Sequence, residues 1–95
     1  MNRKELIRAI SDNSSITLIE AQRFLDVFEE IVRTTLASGG EISLVGFGRF
    51  HRKKRSARIG RNPHTGEQMA IEATYLPAFS PGKGLKETLN PAAGS

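Results

Sequence analysis

Between positions 49 and 61 the chain carries seven basic residues, Arg49, Arg52, Lys53, Lys54, Arg55, Arg58 and Arg61, with no acidic residue among them. This local field is far stronger than the formal net charge of +4 suggests, and a field of that density selects a polyanion as partner. The run leads into Asn62-Pro63-His64-Thr65-Gly66, where a proline and a glycine can reverse the chain. The rigid ring of Pro63 lacks a backbone N–H, so it can press against an apolar surface without stranding a donor. From spacing alone Pro63 reads first as the preset first corner of a turn closed by Gly66. Two further lysines, Lys83 and Lys86, lie in "PGKGLK".

Other chemistries find little support. There is no cysteine, so neither a disulfide nor a Cys-ligated zinc is available, and His51 and His64 stand apart from any carboxylate cluster. No metal and no cofactor is expected. "GFGRFH" starts like a dinucleotide fingerprint but has His51 at the third glycine position, and "PGKG" lacks the upstream glycine and the Ser/Thr of a phosphate loop. With no G-x-S-x-G elbow and no paired carboxylates in a plausible pocket, an enzyme is not expected. No segment approaches the roughly 18 apolar residues of a membrane span, and the polar start Met1-Asn2-Arg3-Lys4-Glu5 is unlike a signal peptide. The expectation is a cytoplasmic protein with no membrane partner.

The elements that must position the basic run are readable from periodicity. Asn2 and Glu5 have capping-box spacing, with Leu6, Ile7 and Ile10 on one face, which predicts a helix over residues 3–12 broken by Asp12-Asn13-Ser14-Ser15. Thr17 and Glu20 repeat the spacing before Ala21, Phe24, Leu25, Phe28, Ile31, Val32 and Leu36, a second helix of about 20 residues stopped by Gly39-Gly40. Its apolar stripe is broader than one short helix could cover, so part of it is expected to face a second copy of the chain, the alternative being that the sheet alone covers it. With 95 residues and 38% hydrophobic composition, a lone core is marginal and dimerisation is the usual remedy.

The period then shortens to that of strands. Ile42 and Leu44 alternate with polar residues, and "VGFGRF" sets Phe47 and Phe50 as core candidates. Beyond Phe50 neither face can be buried, yet strand spacing resumes over residues 68–75, so a two-stranded basic ribbon leaves the body at about 52–74. Ser80 and Pro81 have the form of an N-cap and first helical residue, with Leu85 and Leu89 on a short last helix. The reading is α+β: two N-terminal helices, a three-stranded antiparallel sheet with a long protruding β-ribbon arm, and a short C-terminal helix. The expected division is a helical part at 1–40 with a face for a second copy, a sheet with its arm at 41–79, the last helix at 80–90 and a tail at 91–95. The helical part holds five basic and six acidic groups, so the positive charge belongs to the rest of the chain.

"LVGFGRF", "GRNPHTGE" and "PGKGLK", in this order after two capped helices, closely resemble the HU/IHF family of bacterial DNA-bending proteins over residues 1–90. The resemblance implies an intertwined dimer whose two arms wrap the minor groove of duplex DNA. It makes Pro63 the wedge between base pairs and places Arg61 and Asn62 beside it. It assigns Arg52, Lys53, Arg55 and Arg58 on the arm, and Lys83 and Lys86 on the last helix, to phosphates. Glu67 and Ser80 depart from the pattern, each standing where a basic residue is common. The resemblance further implies a nucleoid-associated, histone-like protein of low sequence specificity that favours bent, nicked or junction DNA. An IHF-like, site-preferring subunit, homodimeric or paired with a related chain, is the alternative. Outside DNA, the rivals are a structured-RNA binder and a basic scaffold or adhesion module for anionic lipid or polysaccharide. Its basic residues fall on strands rather than on one amphipathic helix, which speaks against a lipid surface.

Overall fold

The computed structural model describes residues 1–91; the tail expected at 91–95 lies outside the described residues from 92 onward. Helix α1 covers Arg3–Ser14, and the Asn2 side chain accepts the Glu5 N–H at 2.8 Å, satisfying one of the donors a helix start leaves open. The helix outlasts its expected stop at residue 12. Asn13 turns its amide back to the Ala9 carbonyl at 2.7 Å, compatible with helix, and the break comes at Ser15, whose φ of 55° is left-handed.

Helix α2 covers Leu18–Ala37 and begins with a complete capping box. The Thr17 hydroxyl accepts the Glu20 N–H at 3.1 Å, and the Glu20 carboxylate accepts the Thr17 N–H at 3.2 Å. Gly39, with φ of 90°, takes the left-handed position just past the helix end.

Three strands, β1 (Ile42–Leu44), β2 (Gly48–Arg55) and β5 (Thr74–Pro81), form an antiparallel sheet in the order β1-β2-β5. Two more, β3 (Arg58–Arg61) and β4 (Gln68–Ile71), form a separate ribbon and pair only with each other. Between β1 and β2 the Phe47 N–H donates to the Leu44 carbonyl at 2.9 Å across a turn that puts Gly46 at φ 83°. Phe50 and Phe79 face each other across β2 and β5 with ring centroids 4.9 Å apart; Phe28 of α2 meets Phe50 edge-on at 5.9 Å, and Phe47 leans on Phe79 at 5.7 Å. A Cβ on Gly48 would come within 2.4 Å of the Phe79 ring, so this aromatic cluster requires glycine there.

The last helix, α3, covers Lys83–Leu89 and starts later than Ser80-Pro81 suggested. Pro81 instead ends β5 opposite Gly48, where its missing N–H costs the ladder little, and Gly82 is the N-cap. The Gly82 and Leu85 N–H groups donate to the Phe47 and Gly46 carbonyls at 2.8 and 3.0 Å, tying α3 to the β1–β2 turn.

Two features describe the chain as a body. Its radius of gyration is 19.2 Å, well above the roughly 13 Å of a compact 100-residue domain, as a projecting ribbon demands. Its interior is unfinished: Ala21 is the one fully buried apolar residue among the described residues, while Phe24 on α2 is 64% exposed. Phe24, Val27, Phe28 and Ile31 line an open groove of about 510 Å³ along that helix.

Candidate nucleic-acid interface

Strand alternation sorts the basic run into two faces. Phe50 points toward α2, so Arg52 and Lys54 share its side, and Arg49, His51, Lys53 and Arg55 share the other, which is turned away from the helices. Arg52 is half-buried on the helical side, its guanidinium 3.9 Å from the centre of the Tyr75 ring and close to Gly39 at the end of α2. There it stacks on an aromatic ring beside a helix C-terminus. Lys53 and Arg55 are exposed on the open face.

The ribbon continues the same register after a short break. Arg55 pairs with Thr74 and Arg58 with Ile71, so Ser56 and Ala57 on one strand match Glu72 and Ala73 on the other without a bulge. Ile59, Arg61, Gln68 and Ala70 then lie on one ribbon face and Arg58, Gly60, Met69 and Ile71 on the other. Ile71 covers the space above Gly60, where a Cβ would come within 2.6 Å of it. Ile59 is 74% exposed, an apolar side chain with nothing of the body against it.

The tip is closed by its own polar groups. The Asn62 side-chain oxygen accepts the His64 N–H at 2.8 Å, its carbonyl accepts the Gly66 N–H at 2.8 Å, and its N–H donates to the Glu67 carbonyl at 2.8 Å. Gly66 takes φ 75°, and the Arg61 guanidinium donates to its carbonyl at 3.1 Å. Asn62 is therefore the organiser of the turn as well as a neighbour of Pro63. Pro63 itself is exposed at the apex.

Among the described residues the ion pairs leave most of this surface free. Arg3 holds Asp26 and, at 2.5 Å, Glu29, whose hydrogen bond pushes the Arg3 pKa up; Arg33 pairs with Glu30 and Arg49 with Glu41. On α3, Lys83 reaches Glu87 at a loose 3.9 Å, while Lys86 lies in its last turn. Lys53, Arg55 and Arg58 belong to no ion pair of the described residues, nor does any cluster of three or more His, Cys, Asp or Glu there suit a metal. No helix is long and apolar enough to cross a membrane among the described residues.

Two contacts escaped the linear pattern. One is the Arg52–Tyr75 stack; the other is a 2.8 Å hydrogen bond between His51 Nε2 and Ser80 Oγ on the open face. Both join residues far apart in the chain and depend on the β2–β5 register.

Known proteins share this arrangement. The family described as "Bacterial DNA-binding protein" matches residues 1–90. The chain belongs to this family. It is 44% identical over 90 residues to DNA-binding protein HU-1 of Halalkalibacterium halodurans, covering 95% of this chain and all 100% of that protein. It is 42% identical over 89 residues to DNA-binding protein HU of Geobacillus stearothermophilus, covering 94% of this chain and 99% of the relative. Among solved structures, Anabaena HU cocrystallised with DNA is similar at a TM-score of 0.87 and 43% identity, covering 96% of this chain and 99% of that one. HU from Thermotoga maritima follows the same fold at a TM-score of 0.67 and 28% identity, covering 95% of this chain and 100% of its own. The α+β architecture of this family, with its arm, is the architecture of this chain.

Proposed function

We propose that the chain is an architectural DNA-binding protein of the HU type, which dimerises through its helices and bends duplex DNA between two arms. The observation that carries this reading is the ribbon itself: basic, exposed, paired only with itself, and set in a chain that overlays an HU bound to DNA at a TM-score of 0.87. The uncovered groove on α2 supports the dimer, because a second copy brings an identical apolar face to it.

The energetics divide the labour. Opening a base step costs a few kcal/mol and bending a site of 20 to 30 base pairs adds about 1 to 6 kcal/mol, so the apolar tip cannot drive association. Charge does. A dimer engaging about eight phosphates has a log–log salt slope near −7, so a fourfold rise in salt weakens it by roughly 10⁴. In this reading Lys53, Arg55 and Arg58, with Lys83 and Lys86, meet phosphates; Arg61 and Asn62 flank the tip in the minor groove; Pro63 wedges between bases. Arg52 contributes through the stack that braces the arm's root. Specificity is low, because the minor groove offers chiefly an A·T-versus-G·C distinction, and DNA that is already bent, nicked or branched binds best because less deformation remains to be done. Such a protein acts at the bacterial nucleoid.

The test is Pro63→Ala, read by energy transfer between the ends of a labelled duplex. Much of the affinity is retained while the end-to-end approach shrinks. Unchanged bending would reduce Pro63 to a turn corner.

A further inference from the structure

We propose that His51 and Ser80 form a proton-gated phosphate contact on the open face of the sheet, one per chain, which strengthens the grip on DNA as the pH falls. The inference rests on the DNA-binding reading above and adds to it a second kind of charge, conditional where the lysines and arginines are permanent.

The placement comes from the register. His51 pairs with Ala78 and Arg49 with Ser80, so imidazole and hydroxyl sit diagonally on the face that carries Arg49, Lys53 and Arg55. The ring is half-buried and held by the 2.8 Å contact from Nε2 to Ser80 Oγ. The charged groups facing it are Arg49 and Lys53 from β2 and Glu41 ahead of β1; Glu41 is held by Arg49 at 3.4 Å. From β5 come Leu76, Ala78 and Ser80, without charge, and the phenylalanine cluster lies on the opposite side of the sheet. The surroundings draw an anion close, yet the neutral imidazole offers it only one donor.

A proton from solvent changes this. In the neutral ring one nitrogen donates and the other accepts; in the imidazolium both donate. Nε2–H then donates to Ser80 Oγ, which frees the hydroxyl hydrogen, and Nδ1–H together with that hydroxyl offers two donors and a full positive charge to phosphate oxygens. The proton returns to solvent on release. The sign comes from linkage: a phosphate beside the ring favours the charged form, so binding takes up a proton and affinity rises as pH falls. Ser80 is thus the positioning partner of a titratable charge.

The test uses the full chain with a fluorescent duplex of about 30 base pairs, at fixed ionic strength, from about pH 8 to about pH 5.5. The dimer tightens by roughly fivefold or more across this range, as two partly exposed ion pairs would give, and its salt slope steepens by about 2. His51→Gln loses the pH-dependent part, Ser80→Ala diminishes it, and His64→Gln, at the arm tip, keeps it. In NMR titration the His51 imidazole midpoint moves up on adding duplex, a shift that a merely structural histidine would not show. A flat pH profile in the unaltered chain, or one that survives His51→Gln intact, overturns the proposal while leaving DNA binding in place. Failure to bind the duplex at any pH would overturn the DNA reading first.

Discussion

Helix α2 and the β3–β4 ribbon are both left bare by the single chain, and they are bare in opposite ways. The helix presents Phe24, Val27 and Ile31, each at least half exposed, beside a charge-balanced surface; the ribbon and its root present Lys53, Arg55, Arg58 and Arg61 around a few scattered apolar side chains. An apolar face needs an equally apolar cover, whereas a basic strip needs a polyanion. Exposure alone identifies nothing: the chemistry of what is exposed names the missing partner.

Three variants press on that contrast. The largest effect is expected from Val27→Asp, which sets an unpaired charge in the helical face. Its cost is on the order of 4 kcal/mol, or ~20 °C in Tm, with a sedimentation profile shifted to monomer. The unaltered protein should show a Tm that rises with its own concentration. Next, replacing Lys53 and Arg55 together by Ala removes about four phosphate contacts per dimer and lowers the salt slope by roughly 3 to 4, equally on all DNA sequences. A loss confined to one sequence would show that these residues read bases. The smallest effect belongs to Arg52→Met. Loss of its stack on Tyr75 costs about 0.5–1 kcal/mol in denaturant melts and leaves the salt slope where it was. A drop in slope of the kind expected for the Lys53 and Arg55 replacement would erase the distinction between the two sheet faces.

Much of this was legible in the order of residues. Both helix starts were written in capping pairs, Asn2 with Glu5 and Thr17 with Glu20, because the donors of a first turn can be satisfied only locally. The ribbon was legible for a negative reason: after Phe50 no alternating face could be buried. Less legible was whatever required register. Ser80-Pro81 has the local signature of a helix start, yet tertiary pairing drew it into β5, where Ser80 meets His51 and Pro81 meets Gly48. Arg52 read as one more member of a basic run until the position of Tyr75 across the sheet gave it an aromatic neighbour. At the tip, Asn62 was expected beside DNA, while its side chain first closes the loop that presents Pro63.

The scarcity of interior in the single chain, with Ala21 alone fully shielded among its described apolar residues, has a consequence for how its amount in the cell is set. On the dimer reading, a newly made copy that finds no mate is an easy substrate for degradation, since opening such a body exposes little that was hidden. Pairing and survival become one event. On that reading the species that persists is the assembled pair rather than the lone polypeptide.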